Sequence, residues 1–171
     1  MEIALIAAVS ENRVIGYNGQ IPWETIPEDM KAFRSLTISD ENNAVIMGRK
    51  TWKTIPSSLR PLEKRLNIVL TSREDFTPSG VYVARDLEEA LKKCKQMGKS
   101  TAYIIGGQKP YEEAINLADR LEITEIKKAV EGDAFFPQID RSLWEVFCKS
   151  DLKNYRSLEY QFFTYLRRKA A

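Results

Sequence analysis

The stretch that decides the fold runs from residue 13 to residue 33 and reads RVIGYNGQIPWETIPEDMKAF. Its second half indicates a helix start, because Pro27 falls in the first turn and acidic residues follow it. Asp29, Phe33 and Leu36 are spaced at i, i+4 and i+7, so they share one helix face. Burial of a carboxylate on this apolar stripe would push its pKa upward. Asp29 is therefore either an acid–base residue in a cleft or a helix-start residue wet on one side.

The chain contains no histidine. This absence excludes Ser-His-Asp and Cys-His catalytic sites, and also zinc sites that need imidazole. Acid–base chemistry near neutral pH must then use a carboxyl, lysine, tyrosine or cysteine with a shifted pKa, or an ionisable group on a bound ligand. We expect no metal site.

Length and composition predict one domain over residues 1–171 with a real hydrophobic core, since 43% of the residues are hydrophobic. The formal net charge of +2 is too small to indicate nucleic-acid binding. The sequence offers neither an apolar run long enough to span a bilayer nor the features of a signal peptide. We therefore expect a cytoplasmic protein.

Strand-like apolar runs alternate with helical patterns along the chain. This alternation predicts an α/β fold whose central, mostly parallel twisted sheet is flanked by helices. The predicted strands cover residues 3–9, 44–47, 66–70, 81–84, 102–105 and 121–126, and the predicted helices cover 27–36, 49–55, 86–97 and 110–117. Two further runs rich in strand formers, 144–149 and 160–166, predict a C-terminal antiparallel hairpin.

Two strand-to-helix junctions carry glycine. They read VIMGRKTW at residues 45–52 and YIIGGQKPY at residues 103–111. Glycine at a helix start lets backbone N–H groups approach a phosphate. Neither junction matches the GxGxxG or P-loop pattern, but two of them in one small domain indicate a dinucleotide site. Arg49 and Lys50 suggest additional phosphate recognition beside the first junction.

Taken together, these segments resemble dihydrofolate reductase of the bacterial type. The matching pieces occur in one consistent order: LIAA at 5–8, VIG at 14–16, PW at 22–23, PEDM at 27–30, residues 45–51, residues 61–67, IGG at 105–107, Thr124, and EGD at 131–133 before FP at 136–137. Relative to many bacterial members, this chain has one additional residue between Trp23 and Pro27. Gln108 stands where a third glycine is frequent.

The resemblance implies NADPH-dependent reduction of 7,8-dihydrofolate to tetrahydrofolate, with hydride passing from nicotinamide C4 to pterin C6. In the implied catalytic set, Asp29 promotes protonation at N5, with water reached through Trp23 and Thr124. The implied substrate-binding residues are Ile6, Ala7, Met30, Phe33, Ile55, Leu62, Arg65 and Ile105. Among these, Arg65 would grip the α-carboxylate of the glutamate tail.

The same resemblance implies the cofactor residues. Ala8 and Ile15 would lie near the nicotinamide, and a cis bond is expected between Gly106 and Gly107. The other implied cofactor residues are Gly48, Arg49, Lys50, Thr51, Ser72 and Arg73 on one side and Gly106, Gly107, Gln108 and Tyr111 on the other. Antifolate inhibitors are expected ligands, and a monomer is the family default.

Two other functions remain open at this point. One is a fold relative that reduces a different heterocycle with NADPH, as in riboflavin synthesis. Asp29, Trp23 and Arg65 argue against it, since they match a pterin with a glutamate tail. The other is an RNA-binding module that uses the lysine-rich helix at 92–99. It would need an aromatic stacking platform or a broad basic face, and the sequence shows neither clearly.

Overall fold

The computed structural model describes residues 1–170, and within them nine strands form one sheet in the order β10-β11-β7-β1-β6-β3-β4-β5, with β9 also paired to β11. These strands are β1 (Glu2–Ser10), β3 (Ala44–Gly48), β4 (Leu66–Leu70), β5 (Tyr82–Ala84), β6 (Thr101–Gly106), β7 (Arg120–Ile126), β9 (Trp144–Lys149), β10 (Lys153–Tyr155) and β11 (Leu158–Arg167). The helices are α1 (Pro27–Ile38), α2 (Arg49–Thr54), α3 (Leu87–Gln96) and α4 (Gln108–Ala114). A short 3-10 turn covers Ser57–Leu59.

Strands β1, β3, β4, β5, β6 and β7 pair in parallel, and β11 adds antiparallel to β7. The predicted fold class is therefore confirmed. The predicted antiparallel pairing of the two C-terminal runs is also present, as β9 against β11. Between them lies β10, which the sequence analysis did not predict and which pairs with the first residues of β11.

The structure also contains a separate pair of short strands, β2 (Val14–Gly16) and β8 (Ala134–Phe135). The sequence analysis predicted no strand over residues 14–16, which it took as part of a long loop reaching from residue 10 through Trp23, and that interpretation was wrong. Strands of two or three residues are too short to show an alternating pattern, so their pairing is set by tertiary contacts.

The central strands are buried on both faces of the sheet. Because side chains alternate along each strand, successive residues enter the core clusters on opposite faces. On one face Leu5, Ile46, Ile68 and Ile104 pack with α3 and α4 in the larger core cluster. The opposite face carries the smaller cluster of Ala4, Val45, Met47, Trp52, Val69 and Tyr103. Four of the substrate residues expected from the sequence, Ile6, Ile55, Leu62 and Ile105, pack against this second cluster.

Local signals set most of the helix boundaries. The Asp86 carboxylate accepts a hydrogen bond of 2.8 Å from the Glu89 N–H and caps α3, at the position where the predicted helix over residues 86–97 begins. The Glu89 carboxylate accepts instead from the Arg85 N–H, one residue before the usual capping-box partner. Helix α4 begins two residues before the predicted Pro110, since proline is tolerated in a first turn. Across residues 1–170, no helix has the length and apolar character needed to cross a membrane.

Candidate active site

Asp29 lies in the first turn of α1, and its carboxylate points at the sheet. The Thr124 hydroxyl on β7 donates a hydrogen bond of 2.6 Å to Asp29 Oδ1. Thr124 itself is buried, at 6% exposure. Burial raises the pKa of Asp29, and the hydrogen bond from Thr124 opposes that shift. This geometry favours an acid–base residue over a helix-start residue exposed to water.

A cavity of about 360 Å³ opens beside Asp29, between α1 and the β7–β11 pair. Four residues expected from the sequence line it: Ile6, Asp29, Phe33 and Thr124. The sequence analysis missed the remaining lining residues, which are Ala32, Ser35, Leu36, Ser39, Glu122, Ile123, Phe162 and Phe163. Phe162 reaches the cavity because it pairs with Thr124 in the β7–β11 ladder. No local sequence pattern reveals that register.

The expected apolar substrate residues other than Phe33 occupy three different places. Ile6, Ile55, Leu62 and Ile105 all pack against the smaller core cluster, so the structure brings them together. Met30 is 49% exposed at the outer side of α1. Ala7 packs instead against the larger core cluster on the opposite face of the sheet. The Ala7 side chain therefore does not share the face of its neighbour Ile6, since side chains alternate along a strand.

Trp23 lies in the loop before α1. It packs against a third cluster formed by Ile26, Ile126, Leu158 and Tyr160. The structure thereby joins the Trp23–Asp29 corner to the C-terminal strands. No local pattern indicates the contact with Ile126, Leu158 and Tyr160, because they lie more than one hundred positions from Trp23.

Arg65 is tied to the end of α1. Its Nη1–H group donates to Thr37 Oγ1 and its Nε–H group donates to the Glu63 carbonyl, both at 2.8 Å. Burial, and then the positive charge of Arg34, lower the pKa of Arg65. Two guanidinium groups held near each other favour an anion between them. Arg34 is a second candidate for this anion site, and the sequence analysis did not single it out.

The two glycine junctions lie side by side. A Cβ atom on Gly48 would come within 3.8 Å of the Gly107 nitrogen, and one on Gly106 would come within 2.8 Å of Thr51 Oγ1. Gly106 has φ of +148°, and the Gly106–Gly107 peptide bond is cis, as expected. Thr51 thus lies against the second junction. The absence of side chains lets the two junctions and Thr51 pack closely, and the two adjacent helix starts offer backbone N–H groups that fit a dinucleotide phosphate chain.

Cations from two elements meet beside the first junction. Arg73, in the loop after β4, donates to both carboxylate oxygens of Asp75 at 3.0 and 2.8 Å. Arg73, and more weakly Arg49, hold the pKa of Asp75 below its usual range. Lys50 is exposed on α2. Arg49 and Arg73, from α2 and from the loop after β4, thus both act on the Asp75 carboxylate, and cations from separate elements are what a phosphate site needs.

Gln108 and Tyr111 act first as structural links. The buried Tyr111 hydroxyl donates to the Ile6 carbonyl at 2.7 Å. Burial, and then the nearby Asp29 charge, raise the pKa of Tyr111. The Gln108 amide donates to Glu112, and its oxygen accepts from the Phe135 N–H, both at 2.8 Å. The Tyr111–Ile6 bond fixes α4 to β1, and the Gln108–Phe135 bond fixes it to β8. Ile15, expected near the nicotinamide, packs against the larger core cluster.

Residues 2–167 match the family model described as dihydrofolate reductase. The chain belongs to the dihydrofolate reductase family. It is similar to the dihydrofolate reductase of Neisseria meningitidis serogroup A, with 42% identity over 168 residues that cover 98% of this chain and 99% of the relative. It is also 37% identical over 176 residues to the dihydrofolate reductase of Sus scrofa, covering 94% and 95% of the two chains.

A solved structure gives the same result. The dihydrofolate reductase from Enterococcus faecalis, complexed with NADP(H) and RAB-propyl, superposes with a TM-score of 0.85 at 34% identity. The match covers 98% of this chain and 97% of that one. Membership of the dihydrofolate reductase family thus extends over the whole sheet and both glycine junctions.

Proposed function

We propose that this protein reduces 7,8-dihydrofolate to 5,6,7,8-tetrahydrofolate with NADPH. The observation that carries the proposal is Asp29, a carboxyl with a raised pKa held by Thr124 at the edge of an apolar cavity. A chain without histidine needs such a group for acid–base work. Family membership supplies the substrate and the cofactor.

NADPH supplies the hydride, from nicotinamide C4 to pterin C6. The adjacent junctions at Gly48 and Gly106–Gly107 are proposed to hold its phosphate chain through backbone N–H groups. The 2′-phosphate would bind beside three cationic side chains, Arg49, Lys50 and Arg73. The Ser72 hydroxyl would donate a further hydrogen bond to it. Thr51, Gln108 and Tyr111 shape the site, and Ala8 and Ile15 border the nicotinamide.

Asp29 is proposed to hydrogen-bond the pterin 2-amino group and N3, and to promote protonation at N5 with water reached past Trp23 and Thr124. Its raised pKa suits it to hold a proton closer to neutral pH than an exposed aspartate can. The apolar side-chain contacts would come from Ile6, Met30, Phe33, Ile55, Leu62 and Ile105, and not from Ala7, whose side chain lies on the opposite face of the sheet. Arg65, with Arg34 beside it, would bind the carboxylates of the glutamate tail.

The test is to mix the purified protein with NADPH and dihydrofolate and to follow the loss of NADPH absorbance, with tetrahydrofolate identified by mass spectrometry. We expect turnover that needs both compounds. Asp29→Asn serves as the matched control for background oxidation. Turnover of a ribosylated pyrimidine instead of dihydrofolate would replace this proposal with the riboflavin-type reaction. RNA binding with no turnover of either compound would replace it with the binding module.

We further propose that antifolate inhibitors compete with dihydrofolate for this site, and that the protein works as a cytoplasmic monomer. Competition predicts that added dihydrofolate raises the apparent inhibition constant while the maximum rate is unchanged. Sedimentation of the purified protein and fractionation of the source cells test the other two points.

A further inference from the structure

Two adjacent carboxylates in the first turn of α1 are bound to two adjacent strands. Asp29 accepts from Thr124 on β7, and Glu28 accepts from the Tyr160 hydroxyl on β11 at 2.7 Å. Tyr160 pairs with Ile126 in the same β7–β11 ladder in which Thr124 pairs with Phe162. One antiparallel strand pair therefore holds the start of α1 at two successive residues.

The Glu28 carboxylate accepts from a second donor, Lys153, and its first donor, Tyr160, is held in place by packing. Lys153 Nζ on β10 lies 2.9 Å from Glu28 Oε1. The hydrogen bond from Tyr160, and then that from Lys153, lower the pKa of Glu28, so it stays charged. Tyr160 is 2% exposed and packs edge-on against Phe162, with ring centroids 5.7 Å apart. A hydrogen bond from a fixed phenol to a charged carboxylate is of the strong class.

Helix α1 needs such an anchor. Its N-cap residue is Ile26, which provides no side-chain hydrogen bond to the first turn. The start of α1 is thus fixed by Pro27 and by contacts with the C-terminal strands rather than by a local cap.

We propose that Tyr160 is a positioning residue for Asp29, acting through Glu28 to hold the first turn of α1 against β7 and β11. The inference rests on the function proposed above. The Asp29 carboxyl must point at a reacting pterin with little error, because small displacements of catalytic groups lower rates strongly. Removal of the Tyr160 hydroxyl leaves the ring packing in place and frees the helix start.

The chain offers a matched control on the same hairpin. Arg156 Nη1 lies 3.1 Å from Glu24 Oε2, and both side chains are more than half exposed. It joins the same two regions as the Tyr160–Glu28 contact, but neither of its side chains is buried as Tyr160 is, and exposed ion pairs contribute little. Arg156→Gln therefore changes the charge without releasing the first turn.

The experiment measures single-turnover hydride transfer with NADPH and dihydrofolate both saturating, together with the Kd for NADPH and the Tm. We expect Tyr160→Phe to slow hydride transfer on the order of tenfold, while NADPH affinity stays unchanged. Glu28→Gln should slow it similarly, and the double variant should be no slower than the worse single variant, since both act through one contact. Arg156→Gln should transfer hydride at the wild-type rate.

A wild-type rate in Tyr160→Phe would overturn the inference, and so would a loss of rate that follows weakened NADPH binding, which marks a general structural role. Multiplying effects in the double variant would also contradict a shared contact. A wild-type protein that does not reduce dihydrofolate would instead overturn the proposed function on which the inference rests. Lys153→Met gives a second, milder release of Glu28 and should fall between wild type and Glu28→Gln.

Discussion

The two sides of the proposed cleft are built in different ways. On the Asp29 side, side chains meet from positions 95 and 132 residues apart, as in the Thr124–Asp29 and Tyr160–Glu28 contacts. On the cofactor side, each junction is a local turn from strand through glycine to helix. We therefore expect the rate to depend on the chemistry of single side chains on the Asp29 side. On the cofactor side, we expect NADPH binding to be weakened by any side chain added at a glycine. Substitutions that separate these two sensitivities test the comparison.

The largest effect is expected at Asp29. Positioned acid–base catalysis contributes about 10²–10⁴-fold, so Asp29→Asn should slow hydride transfer at neutral pH by a factor in that range. The rate should recover as pH falls, because solvent acid can protonate the substrate at N5. Wild-type activity should decline at high pH, as that proton becomes scarce. Single-turnover measurements across a pH series check this, and a near wild-type rate at neutral pH would return Asp29 to a helix-start role.

On the cofactor side, Gly106→Ala should weaken NADPH binding on the order of a hundredfold, corresponding to about 3 kcal/mol. The new Cβ would lie 2.8 Å from Thr51 Oγ1, at a φ of +148° that alanine rarely adopts. Thr51→Ala in the same chain should restore part of the affinity, because it removes the clash but not the backbone strain. Equal affinity in wild type and Gly106→Ala, measured by NADPH titration, would contradict a backbone-built site.

The same contrast explains what the sequence could predict. The order of central strands and helices, the α3 cap at Asp86 and both glycine junctions follow from local patterns, and the structure confirms them. Phe162, Arg34 and the β10 strand were missed. Phe162 reaches the cavity through its pairing with the distant strand β7, and such a register leaves no local trace. Strand β10 has only three residues, too few to show an alternating pattern, and Arg34 lies on α1, where nothing in the local sequence relates it to Arg65. Ala7 was expected in the substrate cleft because it belongs to the LIAA segment. Side chains alternate along β1, so Ala7 faces the opposite side of the sheet from Ile6.

Cofactor preference should be the next largest effect. Two charge-assisted contacts to a 2′-phosphate, each roughly 1.5–3 kcal/mol, would favour NADPH over NADH on the order of a hundredfold in kcat/KM. Arg73→Gln should lower this preference about tenfold. Asp75→Asn is the control, since it releases Arg73 from its ion pair and should leave the preference intact or increase it. Equal kcat/KM values for the two cofactors in wild type would refute the role of these cations.

At the far end of the cleft, Arg65→Leu should raise the KM for dihydrofolate by roughly tenfold or more, since a charge-assisted contact contributes about 1.5–3 kcal/mol. NADPH affinity should hardly change. A pterin substrate without the glutamate tail should be turned over equally by wild type and variant. If folate and NADPH affinity fell together, Arg65 would be structural, through its bond to Thr37 at the end of α1.

The smallest effect concerns stability, and it distinguishes two neighbouring carboxylates. Burial raises the pKa of Asp29 in the folded state, so the stability linked to its protonated form is present at low pH and is lost as pH rises through the raised pKa. Asp29→Asn should therefore melt above wild type at pH 8, and the gap should close toward pH 4. For a chain of this length each kcal/mol corresponds to about 2–4 °C in Tm.

Glu28 should show the opposite sign, because its hydrogen bonds from Tyr160 and Lys153 lower its pKa. Its charged form stabilises the fold above its ordinary pKa, and that contribution is lost as pH falls through the lowered pKa. Glu28→Gln should thus melt below wild type at pH 8 and approach it in acid. Calorimetric scans of both variants across this pH range check the pair. If both variants melted on the same side of wild type at pH 8, the two carboxylates would not have opposite effects on stability, and this interpretation of the Asp29 side of the cleft would be wrong.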